Sequence, residues 1–166
     1  LDPVSDNSVA QFAKHRAADK PEEADKMNRL YVIENRYTVT GGAADHRKPL
    51  AASLLPVAAA SLAAEVGRLA GDVTLSSAAA SLAASADAAL IAWIKPVAED
   101  LFATKGKAVV LAGSRTDAVV QALTVGINNT LAAYGPVIEA FQVDEQAAGS
   151  LAELAELIKA DKIKTV

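Results

Sequence analysis

Apolar positions follow two rhythms along this chain. Short continuous apolar runs mark strands: "LYVIE" (Leu30 to Glu34), "AVVLA" (Ala108 to Ala112) and "GPVIEAF" (Gly135 to Phe141), with "IKTV" (Ile163 to Val166) opening one more. They are short and rich in β-branched residues or bounded by turn formers. "AVVLA" has no polar alternation, the pattern of a strand covered on both faces of a parallel sheet. The longer stretches repeat every three or four residues. Leu54, Leu55, Ala58, Leu62, Val66 and Leu69 predict a helix over Ala51 to Ala70, ended by "AGD" (Ala70 to Asp72). "LSSAAASLAASAD" follows as a second helix or an alanine-rich connection. Leu90, Ile91, Ile94, Val97, Leu101 and Phe102 mark a helix over Ala88 to Thr104. Pro96 lies inside it and predicts a kink or a fresh start, because proline lacks the amide donor and crowds the preceding turn. "KGK" (Lys105 to Lys107) breaks that helix. Val120, Leu123, Ile127 and Leu131 mark another from about Asp117 to Ala132, with Asp117 or Thr116 as its cap. Leu151, Leu154, Leu157 and Ile158 mark the last. Residues 1–29 are polar and irregular, with a short helix over Val9 to Ala18.

Strand, helix, strand, helix, strand predicts an α/β domain, a parallel Rossmann-like sheet flanked by helices. The length of 166 residues suits one domain with a core. Apolar residues make up 52% but aromatic ones only 4%, so the helices pack closely through alanine. The chain begins at Leu1 and stops as an apolar run begins; it reads as a piece of a longer protein. "LDPVSDNSV" has neither the basic nor the apolar region of a signal peptide.

Composition excludes several chemistries. With no cysteine the chain holds no disulfide and no iron–sulfur cluster. With two histidines, His15 and His46, it cannot form a three-histidine zinc site. The net charge of −4 and the absence of a basic face argue against nucleic acid: Lys14, His15, Arg16 and Lys20 are followed at once by Glu22, Glu23 and Asp25. "PLAASLLPVAAASLAAEV" (Pro49 to Val66) contains Pro56, two serines and Glu65, and reads as a buried alanine-rich helix rather than a membrane span.

Two segments carry candidate chemistry. Gly113, Ser114 and Arg115 lie in "AGSRTD", between a predicted strand and a predicted helix. In open α/β sheets that edge binds ligands, and a helix N-terminus favours an anion such as phosphate. The chain has no G-x-G-x-x-G and no G-x-x-x-x-G-K-[ST], and "KGKA" precedes a strand, so neither fingerprint is present and an ordinary turn is the simpler reading. The second segment is "TGGAADHRKP", a loop containing Thr40, Gly41, Asp45, His46 and Arg47. An Asp-His dyad needs the carboxylate on one ring nitrogen, and adjacent residues diverge. With no G-x-S-x-G elbow either, Asp45 and Arg47 are expected to fix the loop rather than do chemistry. Trp93 is expected in the core or an interface, and Asn128 and Asn129 as capping or surface groups.

Three stretches together resemble one family: "MNRLYVIENRYTVTGGAADHRKPL" (Met27 to Leu50), "GKAVVLAGSRTDAVVQALTVGINNTL" (Gly106 to Leu131) and "SLAELAELIKADKIKTV" (Ser150 to Val166). The chain resembles the molybdopterin-oxidoreductase-like portion of the iron–sulfur subunit of bacterial alternative complex III, a quinol:cytochrome c oxidoreductase. The resemblance implies a non-catalytic scaffold domain of a membrane-associated complex on the periplasmic side of the inner membrane. Its partners would be other domains of the parent chain and the membrane and cytochrome subunits. The parent's iron–sulfur clusters would lie in a separate cysteine-rich domain. Gly113, Ser114, Arg115, Thr40, Gly41, Asp45, His46 and Arg47 would line a vestigial cofactor edge. One alternative is a working molybdopterin-guanine-dinucleotide-binding domain of a molybdenum oxidoreductase. Another is a small free-standing hydrolase using His46 and Asp45.

Overall fold

The computed structural model describes residues 12–17, 20–22, 27–139 and 150–163. Strand β1 (Tyr31–Glu34), the single-turn helix α1 (Val39–Gly42) and strand β2 (His46–Pro49) come first. A 3-10 turn (Ala52–Leu54) leads into α2 (Leu55–Ala70), then α3 (Val73–Ala83), α4 (Ala88–Ala103), α5 (Ala118–Thr130) and α6 (Leu151–Lys159).

The molecule is mixed α/β, mostly helical, with one parallel sheet of two strands. β1 and β2 pair in the register Tyr31 with His46, Val32 with Arg47, Ile33 with Lys48 and Glu34 with Pro49. Residues 35–45 make the crossover, at the short end of what a parallel connection needs. The expected loop over "TGGAADHRKP" is therefore corrected: its first part is α1 and its last part is β2. Period-2 reasoning missed β2 because His46, Arg47, Lys48 and Pro49 contain no β-branched or apolar signal.

The larger Rossmann-like sheet is not seen among the described residues. Ala108 to Ala112 runs straight but joins no strand, and residues 135–137 form a turn bridged between Tyr134 and Ile138. Residues 140–141 and 164–166 of the other expected strands lie outside the described residues, as do residues 9–11 and 18 of the first expected helix; Phe12 to Lys14 are helical.

The core is built around α2, which packs against α3, α4 and α5. Ala58, Ala60, Ala63 and Val66 are essentially inaccessible. α2 starts with a proline in its first turn and ends at Gly71. Gly67 sets the α2–α3 distance: a Cβ there would lie 2.6 Å from Ser76 Oγ and 3.1 Å from the Asp72 carbonyl oxygen. Asp72 caps α3 by accepting from the Leu75 amide (3.0 Å) and ties it to α5 by accepting from Thr130 Oγ1 (2.8 Å). Those bonds, the Leu75 amide first, hold its carboxyl below the usual range. Ala52–Ala70 is long and apolar enough to cross a membrane by length and composition. Here it is the core helix.

α4 presents Leu90, Ile94, Val97 and Ala98 to the core, with Asp87 as its cap. It continues through Pro96 with no fresh helix start. Pro96 and Ala92 both lie on the exposed face, so water can serve the Ala92 carbonyl that the missing amide leaves free. Asp117 holds the cap position of α5, but its side chain makes no capping bond.

Asn128 is not the surface or capping group expected. It is buried on α5, and its amide takes both backbone groups of Val110: the Val110 amide donates to Oδ1 (2.8 Å) and Nδ2 donates to the Val110 carbonyl (2.8 Å). We expect Asn128→Ala to destabilise the fold by about 2 kcal/mol in urea unfolding, because two partly buried backbone groups lose their partner. Asn128→Asp should cost at least as much, since a carboxylate cannot donate to the carbonyl. Asn129→Ala, on the exposed face, should stay within about 0.5 kcal/mol of the parent.

Candidate functional site

The β1–α1–β2 unit gathers five of the eight candidate residues, and it is held by polar bonds more than by apolar burial. Thr38 caps α1, its hydroxyl accepting from the Gly41 amide (3.1 Å). The same hydroxyl donates to Glu34 Oε2 (2.6 Å), and the Thr38 amide donates to Oε1 (3.3 Å). Across the sheet, Arg47 Nε donates to Glu34 Oε1 (2.5 Å), and its guanidinium carbon lies 4.8 Å from the centre of the Tyr37 ring. Thr38 first and Arg47 second hold the Glu34 carboxyl below the usual range. Gly41 is buried here, and a Cβ on it would overlap the Glu34 carboxylate.

Asp45 is equally engaged. Both its oxygens take the Arg16 guanidinium, Oδ1 from Nη2 at 3.0 Å, and Oδ2 also accepts from the Leu30 amide (2.7 Å). Arg16 adds bonds to the Asn28 carbonyl (2.6 Å) and the Ala43 carbonyl (3.4 Å). Arg16, then the Leu30 amide, keeps the Asp45 carboxyl ionised to lower pH than usual, against an opposing effect of burial.

His46 points to the other face of the sheet from Arg47. Its exposed ring stacks on Tyr31, its register partner, at 4.9 Å between centroids and 14° between planes. Tyr31 meets Trp93 of α4 edge-on (6.2 Å, 84°) and donates from its hydroxyl to Asp100 Oδ2 (3.0 Å). Arg29 donates to the other oxygen of Asp100 (2.7 Å). Burial, reinforced by Asp100, pushes the Tyr31 phenol up. Trp93 thus joins the sheet to the helices. No Asp45–His46 hydrogen bond forms, so the hydrolase alternative lacks its dyad.

The second segment stands apart. Gly113, Ser114 and Arg115 are exposed. The Gly113 carbonyl accepts from the Thr116 amide (3.0 Å), Thr116 Oγ1 (2.7 Å) and Gln121 Nε2 (2.7 Å), closing the turn on itself. Among the described residues no hydrogen bond or ion pair joins residues 38–47 to residues 113–117. In the first, Asp45 and Arg47 bond within the chain and Glu34 closes over Gly41. Among the described residues no group of three metal-ligating side chains forms.

Sequence reasoning missed Glu34, Thr38, Arg16, Tyr31 and Asp100 as the groups that hold the unit. Thr38 is of a type favoured at a helix N-cap, but no Glu or Gln three residues on completes a capping box. The Arg16–Asp45 and Tyr31–Asp100 partners, 29 and 69 positions apart, had no local signal. Compared with known proteins, the chain matches no family model, no curated protein and no solved structure.

Two outcomes are expected of this unit. Both Glu34 and Asp45 titrate lower folded than unfolded, so their stabilisation is complete above the unfolded carboxylate range (about pH 4) and fades as pH falls through the lower folded values. Urea midpoints followed from neutral pH downward should fall below about pH 4, and Asp45→Asn with Glu34→Gln should flatten that fall. Gly41→Ala should destabilise the parent chain but be close to neutral in a Glu34→Ala background. A double-mutant cycle in urea shows whether the two changes are coupled in this way.

Proposed function

We propose that this chain is a non-catalytic, molybdopterin-oxidoreductase-like scaffold domain in the iron–sulfur subunit of a respiratory quinol:cytochrome c oxidoreductase. The complex lies at the periplasmic side of the bacterial inner membrane, and the iron–sulfur clusters lie in another domain of the parent. What supports the scaffold reading is the engagement of Glu34, Asp45 and Arg47 in bonds within the chain, in the stretch that carries the most specific part of the resemblance. A site built for turnover keeps its acids and bases facing a substrate; here they brace one another.

The Rossmann-like architecture belongs to this proposal as well. A lone two-stranded sheet is marginal, and in this reading β1 and β2 are the parallel pair to whose outer edges the parent adds further strands. The domain then acts by holding neighbouring domains at fixed distances, and electrons pass elsewhere.

The test uses the full parent complex solubilised from membranes. Iron without molybdenum or pterin, and copurification with membrane and cytochrome subunits, are expected. Glu34→Gln should lower the yield of assembled complex and leave quinol:cytochrome c turnover per assembled complex unchanged. Stoichiometric molybdenum and pterin would replace this reading with the working dinucleotide-binding domain. Turnover per complex falling with an unchanged yield would place chemistry in the unit and overturn the scaffold reading.

A further inference from the structure

The buried core closes without the sheet. Every member of the buried apolar cluster lies between Val57 and Leu131, on α2 to α5 or at the end of α5. None comes from residues 28–50, where Gly41 is the one buried residue. Tyr31, Ile33 and Leu50 pack against the helices, but each keeps part of its surface in water. Hydrogen bonds divide in the same way. Inside the unit, Glu34 and Asp45 draw β1, α1 and β2 together, and Arg16 clasps the Asn28 and Ala43 carbonyls with the Asp45 carboxylate. Between residues 28–50 and helices α2 to α5, the described residues make two hydrogen bonds: Tyr31 Oη donates to Asp100 Oδ2 (3.0 Å) and Arg29 Nη1 to Asp100 Oδ1 (2.7 Å). Both end on one carboxylate. The chain passes from the unit into the helices once, through residues 51–54, and all four are exposed.

We propose that residues 28–50 open from the helices as one cooperative unit, ahead of global unfolding, and that Asp100 is the latch that holds them shut. Opening gives up partly buried side chains and the two bonds to Asp100, while the helices keep their whole buried cluster. Global unfolding gives up both, so the first step is the less costly one. A two-stranded sheet is marginal by itself, so release from α4 loosens the strand ladder along with the contact. The exposed linker has no packing of its own to lose. Docking of the sheet is therefore an equilibrium separate from folding of the helices, and one carboxylate on α4 sets its position. This device does not rest on the scaffold reading, because the same bonds set it in any parent protein.

Native-state hydrogen exchange tests it. The Asp45 and Leu50 amides sit at the two ends of the ladder and donate to the Leu30 and Glu34 carbonyls at 3.0 Å each. They should share one opening constant and be protected roughly a hundredfold less than the amides of Val66, Ile94 and Ile127. Asp100→Ala should raise exchange at Asp45 and Leu50 by roughly tenfold or more, since a charged acceptor is lost. Tyr31→Phe keeps the ring and removes only the hydroxyl, and should raise it severalfold. Ile127→Val lies in α5, which packs on α2 and α3. It should speed exchange of the core amides severalfold and leave Asp45 and Leu50 unchanged. One opening constant for all five amides, or an Ile127→Val effect equal in both sets, would show a single cooperative molecule and overturn the proposal. So would different opening constants at Asp45 and Leu50, or exchange there indifferent to both Asp100→Ala and Tyr31→Phe.

Discussion

The burial of α2 on nearly every side constrains the rest of the molecule. From Val57 to Ala63 all residues are buried except Ala59, which is partly so. Seven residues make about two turns, so no direction around the axis is left to solvent there. Three helices can crowd onto one axis only if its side chains are small, and alanines at 58, 60 and 63 meet that demand. Larger groups would overpack the contact. The low aromatic content follows from this geometry, and so does Gly67 where α3 passes closest.

A helical core of this kind offers little apolar surface to a two-stranded sheet. Tyr31 and Ile33 reach the core from β1 and Leu50 follows β2, while the opposite face is set by Glu34, Arg47 and Thr38. Polar bonds therefore fix the sheet's crossover, with directional geometry where burial is thin. The Tyr31–Asp100–Arg29 group and the Trp93 edge contact then fasten the sheet to α4. The cost of such a design is sensitivity to charge: two carboxylates hold the crossover, and both must stay ionised to do so.

The helices were legible because periodicity reports burial directly. Leu54 to Leu69, Leu90 to Leu101 and Val120 to Leu131 each announced a helix that forms. The strands were legible only where residue type and burial agree, as at Tyr31 to Glu34. "AVVLA" has the composition of a sheet strand, but pairing depends on a partner elsewhere in the chain, which composition cannot specify. His46 to Pro49 is the converse case, a strand built from polar residues and a proline because register with β1 overrides propensity. The candidate site followed the same rule. The chemical types at Asp45, His46 and Arg47 stood out in the text, but their roles depend on partners at Arg16, Tyr31 and Glu34, none of them a near neighbour in sequence.

Asn128 makes the general point about backbone hydrogen bonds clearest. Every amide and carbonyl removed from water needs a partner, and a chain that places an apolar strand on a helical core has few strands available to provide one. A single buried asparagine provides both the donor and the acceptor on one edge, at the expense of burying a polar group in α5 that has no other function there. That solution works for one edge only, because one side chain reaches one residue's pair of groups.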